Sequence, residues 1–210
     1  MLKDLLNRRF ACKHFDSSKP VNEKDLHEIL DDARLSPSSF GLQAWQFMVI
    51  TTPELKQKLQ PACWNQPQIT EAPVLILLNA RTDLSGPDGI IKKYALKSQK
   101  DQSRTDEQSA GFEKYLTDTL SARSDEDLKN WTQKQTYLAA MTLMLSAIEK
   151  GLDTCPMEGF VPEQVSQILE LPEYLHPTLI IPIGYRNMEQ PAKTRFEYGQ
   201  VVKFIGKFRN

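Results

Sequence analysis

Apolar positions recur at helical spacing in the first part of the chain and then condense into short continuous runs, a switch that predicts helices around a buried sheet. Leu2, Leu5 and Leu6 share one side of a segment running to Arg9, which predicts a short amphipathic helix. Leu26, Ile29, Leu30 and Ala33 repeat at helical spacing behind Asn22, a good N-cap, with Glu23 and Asp25 in the first turn and Pro37 closing the far end. Phe47 to Thr51 reads as a buried strand, and Thr52-Pro53 starts a helix through Leu59 with proline at its first position. Val74 to Leu78 is apolar throughout and predicts a central strand covered on both faces; Thr178 to Ile183 predicts another.

The stretch from Arg81 to Glu126 turns polar around Ser85-Gly86-Pro87-Asp88-Gly89, which predicts solvent-facing helix and mobile loop. Trp131 to Lys150 is apolar nearly all round, so it predicts a central helix or one shared with a second subunit, ended by Gly151. Leu152 to Pro156 reads as a short extended piece and Pro162 to Leu171 as a short helix. In the tail, Val202, Phe204 and Phe208 alternate with Lys203 and Lys207, and so apolar a segment must dock on something. No composition shift marks a linker, so residues 1–210 are expected to form one domain.

Composition narrows the function. A chain that is 40% hydrophobic and 25% charged, with net charge -1, is typical of a soluble globular protein. Its 26 basic residues are offset by 27 acidic ones without a basic stripe, which argues against nucleic acid. Cys12, Cys63 and Cys155 lie far apart with no Cys-x-x-Cys pair, against a disulfide scaffold or a zinc site. The start Met1-Leu2-Lys3-Asp4 does not resemble a signal peptide and no apolar run reaches membrane-spanning length, so a cytoplasmic setting is expected.

Several segments carry candidate chemistry. From Leu35 to Phe47, Pro37, Ser38 and Ser39 form a polar bend that runs through Phe40, Gly41 and Gln43 to Trp45, reading either as a ligand loop or as an ordinary connection with one packed Trp. Arg8, Arg9 and Lys13 near the start, and Lys193 and Arg195 near the end, would clamp a phosphate if they converged. In Thr154-Cys155-Pro156-Met157-Glu158-Gly159-Phe160, Gly159 permits close backbone approach to a flat ligand, or marks a tight turn. Asn65 beside Trp64 offers an amide to the edge of a heterocycle. There is no Gly-x-x-x-x-Gly-Lys-Ser/Thr loop, no Gly-x-Gly-x-x-Gly and no Gly-x-Ser-x-Gly elbow, so chemistry borrowed from an organic cofactor is favoured.

Taken together, four motifs resemble the FMN-dependent nitroreductase family in order and spacing. Arg8-Arg9-Phe10-Ala11-Cys12-Lys13-His14-Phe15 is similar to the family's Arg-Arg-Ser-x-Arg/Lys-x-Phe opening, and Ser36 to Trp45 resembles its Ser-Pro-Ser-x-x-Asn-x-Gln-Pro-Trp signature. Pro156-Met157-Glu158-Gly159 resembles its Pro-x-Glu-Gly turn, and Lys193 and Arg195 after Ile183-Gly184 resemble its late basic pair. The resemblance implies an α+β fold with a mainly antiparallel sheet flanked by helices, in an intertwined homodimer with FMN at the interface. It implies that Arg9, Lys193 and Arg195 hold the FMN phosphate and that Lys13 faces the ribityl chain and pyrimidine edge. Asn65 and Gln68 would read that edge, and the backbone of Met157, Glu158 and Gly159 would reach flavin N5 and O4. Pro37, Ser38, Ser39 and Gly41 would come from the partner, while Arg8, Phe10, Ala11, Gln43 and Pro156 complete the expected cofactor set. Phe40, Trp64, Phe112 and Tyr115 are expected to border the acceptor pocket. The implied activity is ping-pong transfer from NADH or NADPH, through the flavin, to a small acceptor such as a nitroaromatic or quinone. The alternatives are an enone or other-acceptor reductase and a low-turnover flavin-binding redox sensor. Three departures stand out: Ala11 in place of Ser, Phe40-Gly41 where Asn is usual at the second position, and Ala44 in place of Pro.

Overall fold

A computed structural model describes residues 1–206, so Lys207 and Phe208 of the expected tail lie outside the described residues. The elements run α1 (Leu2–Arg8), α2 (Glu23–Arg34), β1 (Trp45–Ile50), α3 (Pro53–Ala62), α4 (Gln68–Glu71) and β2 (Val74–Arg81). They continue with α5 (Ile90–Asp101), α6 (Asp106–Ser121), α7 (Asp125–Glu149), β3 (Asp153–Thr154), α8 (Pro162–Ile168), β4 (Leu175–Gly184) and α9 (Tyr198–Val201). The four strands form one antiparallel sheet in the order β1-β2-β4-β3.

Sequence period explains the layering. Along β2, Leu75 and Leu77 point to one face and join Leu59, Ile69, Val165 and Phe160 from α3, α4, α8 and the turn before α8. Val74, Ile76 and Leu78 point to the other face, against Ile29 and Ala33 of α2 and Ala140, Leu143 and Ala147 of α7. Helices on both faces are what allow an antiparallel strand to be apolar at nearly every position.

The terminal signals hold at α2, where Asn22 Oδ1 accepts from the backbone N–H groups of Lys24 and Asp25 at 2.9 and 3.3 Å. They hold also at the end of α7. There Gly151 adopts φ +79°, Leu152 N–H donates to Ala147 O at 2.9 Å and Gly151 N–H to Ile148 O at 3.1 Å, the paired bonds of a left-handed C-terminal cap.

Two expectations are corrected. The polar stretch 81–126 is mostly the helical hairpin of α5 and α6, and its Leu84, Ile90, Ile91, Leu116 and Leu120 close a third core with Leu42 and Ala44. Those few apolar positions are spread widely enough to be lost among the charges. Helix α7 is longer than the apolar run, starting at Asp125 behind a Ser124 cap, and it is not buried all round: Tyr137 and Leu138 are exposed. Thr132 and Thr136 are buried instead, each hydroxyl donating to the carbonyl three residues earlier at 2.9 and 2.7 Å. No helix among the described residues is long and apolar enough to cross a membrane.

Because Leu116 is fully buried in the third core, Leu116→Ala is expected to lower unfolding free energy by about 2–4 kcal/mol in urea titrations. A mobile surface loop at this place would register no change.

Candidate functional site

The chain after α1 is extended and runs beside β3, with Ala11 bridged to Thr154 in parallel and Cys12 N–H donating to Thr154 O at 3.0 Å. Extended backbone alternates its side chains. Phe10 and Cys12 are buried in the core, which leaves Arg9, Ala11 and Lys13 together on the opposite face. Farther along, Glu71 fixes the segment by accepting from Phe15 N–H at 3.1 Å and meeting His14 Nδ1 at 3.2 Å.

Basic groups from both chain ends meet on that face. Lys193 Nζ donates to the backbone carbonyl of Arg9, and Gln190 Nε2 ties the same tail to Asn7 O at 2.8 Å. Burial, then the neighbouring Arg195 guanidinium, pull the Arg9 pKa below its ordinary value. Burial, Arg9 and Arg195 lower that of Lys193 in the same way. None of Arg9, Lys13, Lys193 and Arg195 forms an ion pair with a carboxylate among the described residues. Like charges gathered without counter-charge raise a positive potential that would attract an anion.

Beside the cations, two loops touch. Trp64 and Asn65 both adopt positive φ, which turns the chain so that Trp64 lies against Gly159; a Cβ there would stand 2.9 Å from the indole and 2.8 Å from Gln66 Nε2. A side chain at that position would have to push one of them aside. Gln66 Nε2 donates to Gly159 O at 2.8 Å, and Gln68, almost fully buried, reaches Gln66 Oε1 at 3.3 Å and Cys155 Sγ at 3.8 Å. Lys13 Nζ lies 3.5 Å from the same sulfur. The Asn65 amide and the backbone N–H groups of Glu158 and Gly159 have no hydrogen-bond partner among the described residues. Tyr137 donates to Glu158 Oε1 at 2.6 Å, and burial together with that carboxylate pushes its phenol up to about 12. Between them a cavity of about 510 Å³ is lined by Tyr137, Met141, Met144, Pro156 and Glu158.

Three expected residues are placed otherwise. Arg8 turns away and donates to Ile148 O at 2.9 Å near the end of α7. The Phe10 ring is core, under the Arg186 guanidinium at 5.7 Å. Met157 spends its N–H and its carbonyl on Ile180, at 2.9 and 3.1 Å, leaving donors only at Glu158 and Gly159. Gln66, Cys155 and Tyr137 were not expected in the site; their signal is contact across loops, which no local spacing encodes.

The Pro37–Gln43 loop belongs to a separate group. Ser38 Oγ accepts from Gln43 N–H at 2.9 Å, Ser39 N–H donates to Gln135 Oε1 at 2.8 Å, and Gln43 Nε2 caps Arg34 O at 2.5 Å. Phe40, at φ 59°, meets Tyr115 edge-on at 6.1 Å and Trp131 at 6.3 Å. Phe112 packs half-buried between Tyr94 and the Arg104 guanidinium, while Trp64 stays with Gly159. No hydrogen bond, ion pair or ring contact among the described residues joins this group to Arg9, Lys13 or Gly159. Within one chain the two groups are therefore separate.

Comparison with known proteins gives this division a context. The model of the nitroreductase family matches residues 6–185. A Staphylococcus haemolyticus protein named as a putative NAD(P)H nitroreductase is 34% identical over 206 residues, 95% of this chain and 94% of its own. A Staphylococcus epidermidis crystal structure titled as a putative NAD(P)H:FMN oxidoreductase superposes with a TM-score of 0.89 at 25% identity, covering 98% of this chain and 96% of the other. An Exiguobacterium sibiricum protein in complex with FMN shares the fold at 20% identity and a TM-score of 0.86, over 97% of each chain. With a family model spanning most of its length and a third of its residues shared with a full-length relative, this chain belongs to the nitroreductase family.

Proposed function

We propose that the protein is an FMN-dependent oxidoreductase that takes two electrons from NADH or NADPH and delivers them to a small oxidised acceptor of the nitroaromatic or quinone class. The observation that carries this reading is the set of Arg9, Lys193 and Arg195, gathered without a carboxylate beside two unpartnered N–H groups and a free amide. A phosphate dianion supplies the missing counter-charge, and the guanidinium and ammonium groups match its oxygens. Lys13 and Gln68 would hold the pyrimidine edge and Asn65 would read it, while Glu158 and Gly159 would donate from the backbone to its far side. Bound FMN supplies hydride transfer in both half-reactions, so the protein needs binding groups and no nucleophile of its own. Lys13 places positive charge where reduction leaves negative charge. One pocket for donor and acceptor in turn gives ping-pong kinetics.

The two groups would be brought together by another copy. Helix α7 shows exposed Tyr137 and Leu138 with half-buried Met141 and Leu145 on one stripe, and Leu2 and Leu35 are 60% and 66% exposed nearby. A groove of about 400 Å³ lined by Leu5, Leu35, Pro37 and Leu145 adjoins the Ser38–Gly41 bend. The described tail leaves Phe196 and Ile205 exposed, 77% and 94%. A homodimer would bury these surfaces and bring the bend of one subunit to the cations of the other.

Purified protein is expected to be yellow, to bleach anaerobically with NADH or NADPH, and to give parallel initial-velocity lines; a colourless protein that FMN cannot reconstitute would sink the proposal. Arg195→Ala is expected to weaken FMN about tenfold in fluorescence titrations, with riboflavin, which lacks the phosphate, unaffected. Leu138→Glu is expected to halve the mass measured by light scattering and to lower FMN occupancy together with it.

A further inference from the structure

We infer that Cys155 is a positioning residue: its sulfur is a shared acceptor that aims Lys13 and Gln68 at the pyrimidine edge of the flavin while leaving the lysine charge uncancelled. The inference rests on the flavin reading of this site. Three features of the contact carry it. The sulfur cannot wander, because Cys155 is fully buried and its backbone N–H donates to Pro182 O at 3.2 Å, pinning it to β4. Two donors from different parts of the chain converge on it, Lys13 Nζ at 3.5 Å from the extended segment and Gln68 Nε2 at 3.8 Å from the start of α4. The acceptor is a thiol where a lysine most often meets a carboxylate. An ammonium has three donors, so one bond to sulfur fixes its direction and leaves two for a ligand.

The same sulfur ends a chain of bonds reaching the other side of the site. Gln66 Nε2 holds Gly159 O at 2.8 Å, Gln68 Nε2 holds Gln66 Oε1 at 3.3 Å, and Gln68 then reaches Cys155. The spacing between Lys13 and the Glu158–Gly159 donors is thus set through three side chains. The other two thiols have no such surroundings. Cys12 donates to His14 O at 3.1 Å, and the Cys63 thiol has no polar partner among the described residues.

The test is the midpoint potential of the FMN holoenzyme, measured by reductive titration against a reference dye. Cys155→Ala is expected to reduce the preference for reduced over oxidised flavin about tenfold, a fall of about 30 mV for two electrons. Lys13→Met is expected to lower it at least as far, the double variant no further than Lys13→Met alone, and Cys155→Ser to restore most of the loss. Lost packing alone would lower the melting temperature and leave the potential in place. If Cys155→Ala does not fold, Cys155→Val fills the space without an acceptor and gives the same reading. A wild-type potential in Cys155→Ala or Cys155→Val, or additive shifts in the double variant, overturns the inference. A wild-type protein that binds no FMN overturns the flavin reading itself, which is a separate result.

Discussion

Strands β2 and β4 are apolar on both faces, and the rest of the molecule follows from the need to keep water from each. At roughly 1.5–3 kcal/mol for every large side chain buried, neither face can be left open. Two sets of helices are therefore obligatory, α2 and α7 on one side and α3, α4 and α8 on the other. That arrangement brings the α3–α4 connection, with Trp64 to Gln68, over the same face as the Met157–Phe160 turn. It also leaves β3 at the sheet edge, where the Arg9–Lys13 segment attaches as a parallel neighbour. The candidate site thus forms where three connections cross the rim of one covered face.

Its electrostatics work against the stability of the free chain. Arg9, Lys193 and Arg195 repel one another, and the tail that carries two of them is held to Arg9 through a backbone carbonyl that offers no negative charge. A stable unliganded protein has no use for that arrangement. Elsewhere the same chain matches its charges in ordinary ways: Arg81 with Asp83, Lys150 with Glu28, Lys114 with Asp118. The contrast within one molecule sets the triad apart as cations drawn together with, among the described residues, no carboxylate paired to them.

How much of this can be read from sequence depends on distance along the chain. The Asn22 cap, Gly151 and the apolar run of β2 are local signals, and each was legible because a few neighbouring residues determine the outcome. The convergence of Arg9 with Lys193 and Arg195, residues some 180 positions apart, came from resemblance to a family, since no period or spacing links them. Arg8 and Arg9 look alike in sequence. They separate in space because α1 ends between them, so that Arg8 faces α7 while Arg9 enters the extended segment. Met157 looks like a donor in its motif and is consumed by a bridge to Ile180, a partner 23 residues on. Residues 81–126 misled for a different reason: a hairpin that buries one thin stripe keeps most of its surface charged.

The departure at Phe40-Gly41 gains a physical reason from the same hairpin. A Cβ at position 41 would stand 2.3 Å from the Tyr94 hydroxyl of α5, and the backbone there is at φ +72°. Asparagine tolerates such a φ, so the backbone alone does not account for the glycine; the Tyr94 side chain, which a Cβ would push aside, does. Gly41 and Tyr94 are therefore coupled: any side chain at position 41 must displace the end of the tyrosine. Phe40, turned outward by its own positive φ, packs on Tyr115 and Trp131 and ties the bend to α6 and α7. The bend is thus built as one unit with α5, α6 and α7. In that unit the conformation of the bend rests on Tyr94, Tyr115 and Trp131, and among the described residues no hydrogen bond, ion pair or ring contact ties it to Arg9, Lys193 or Arg195.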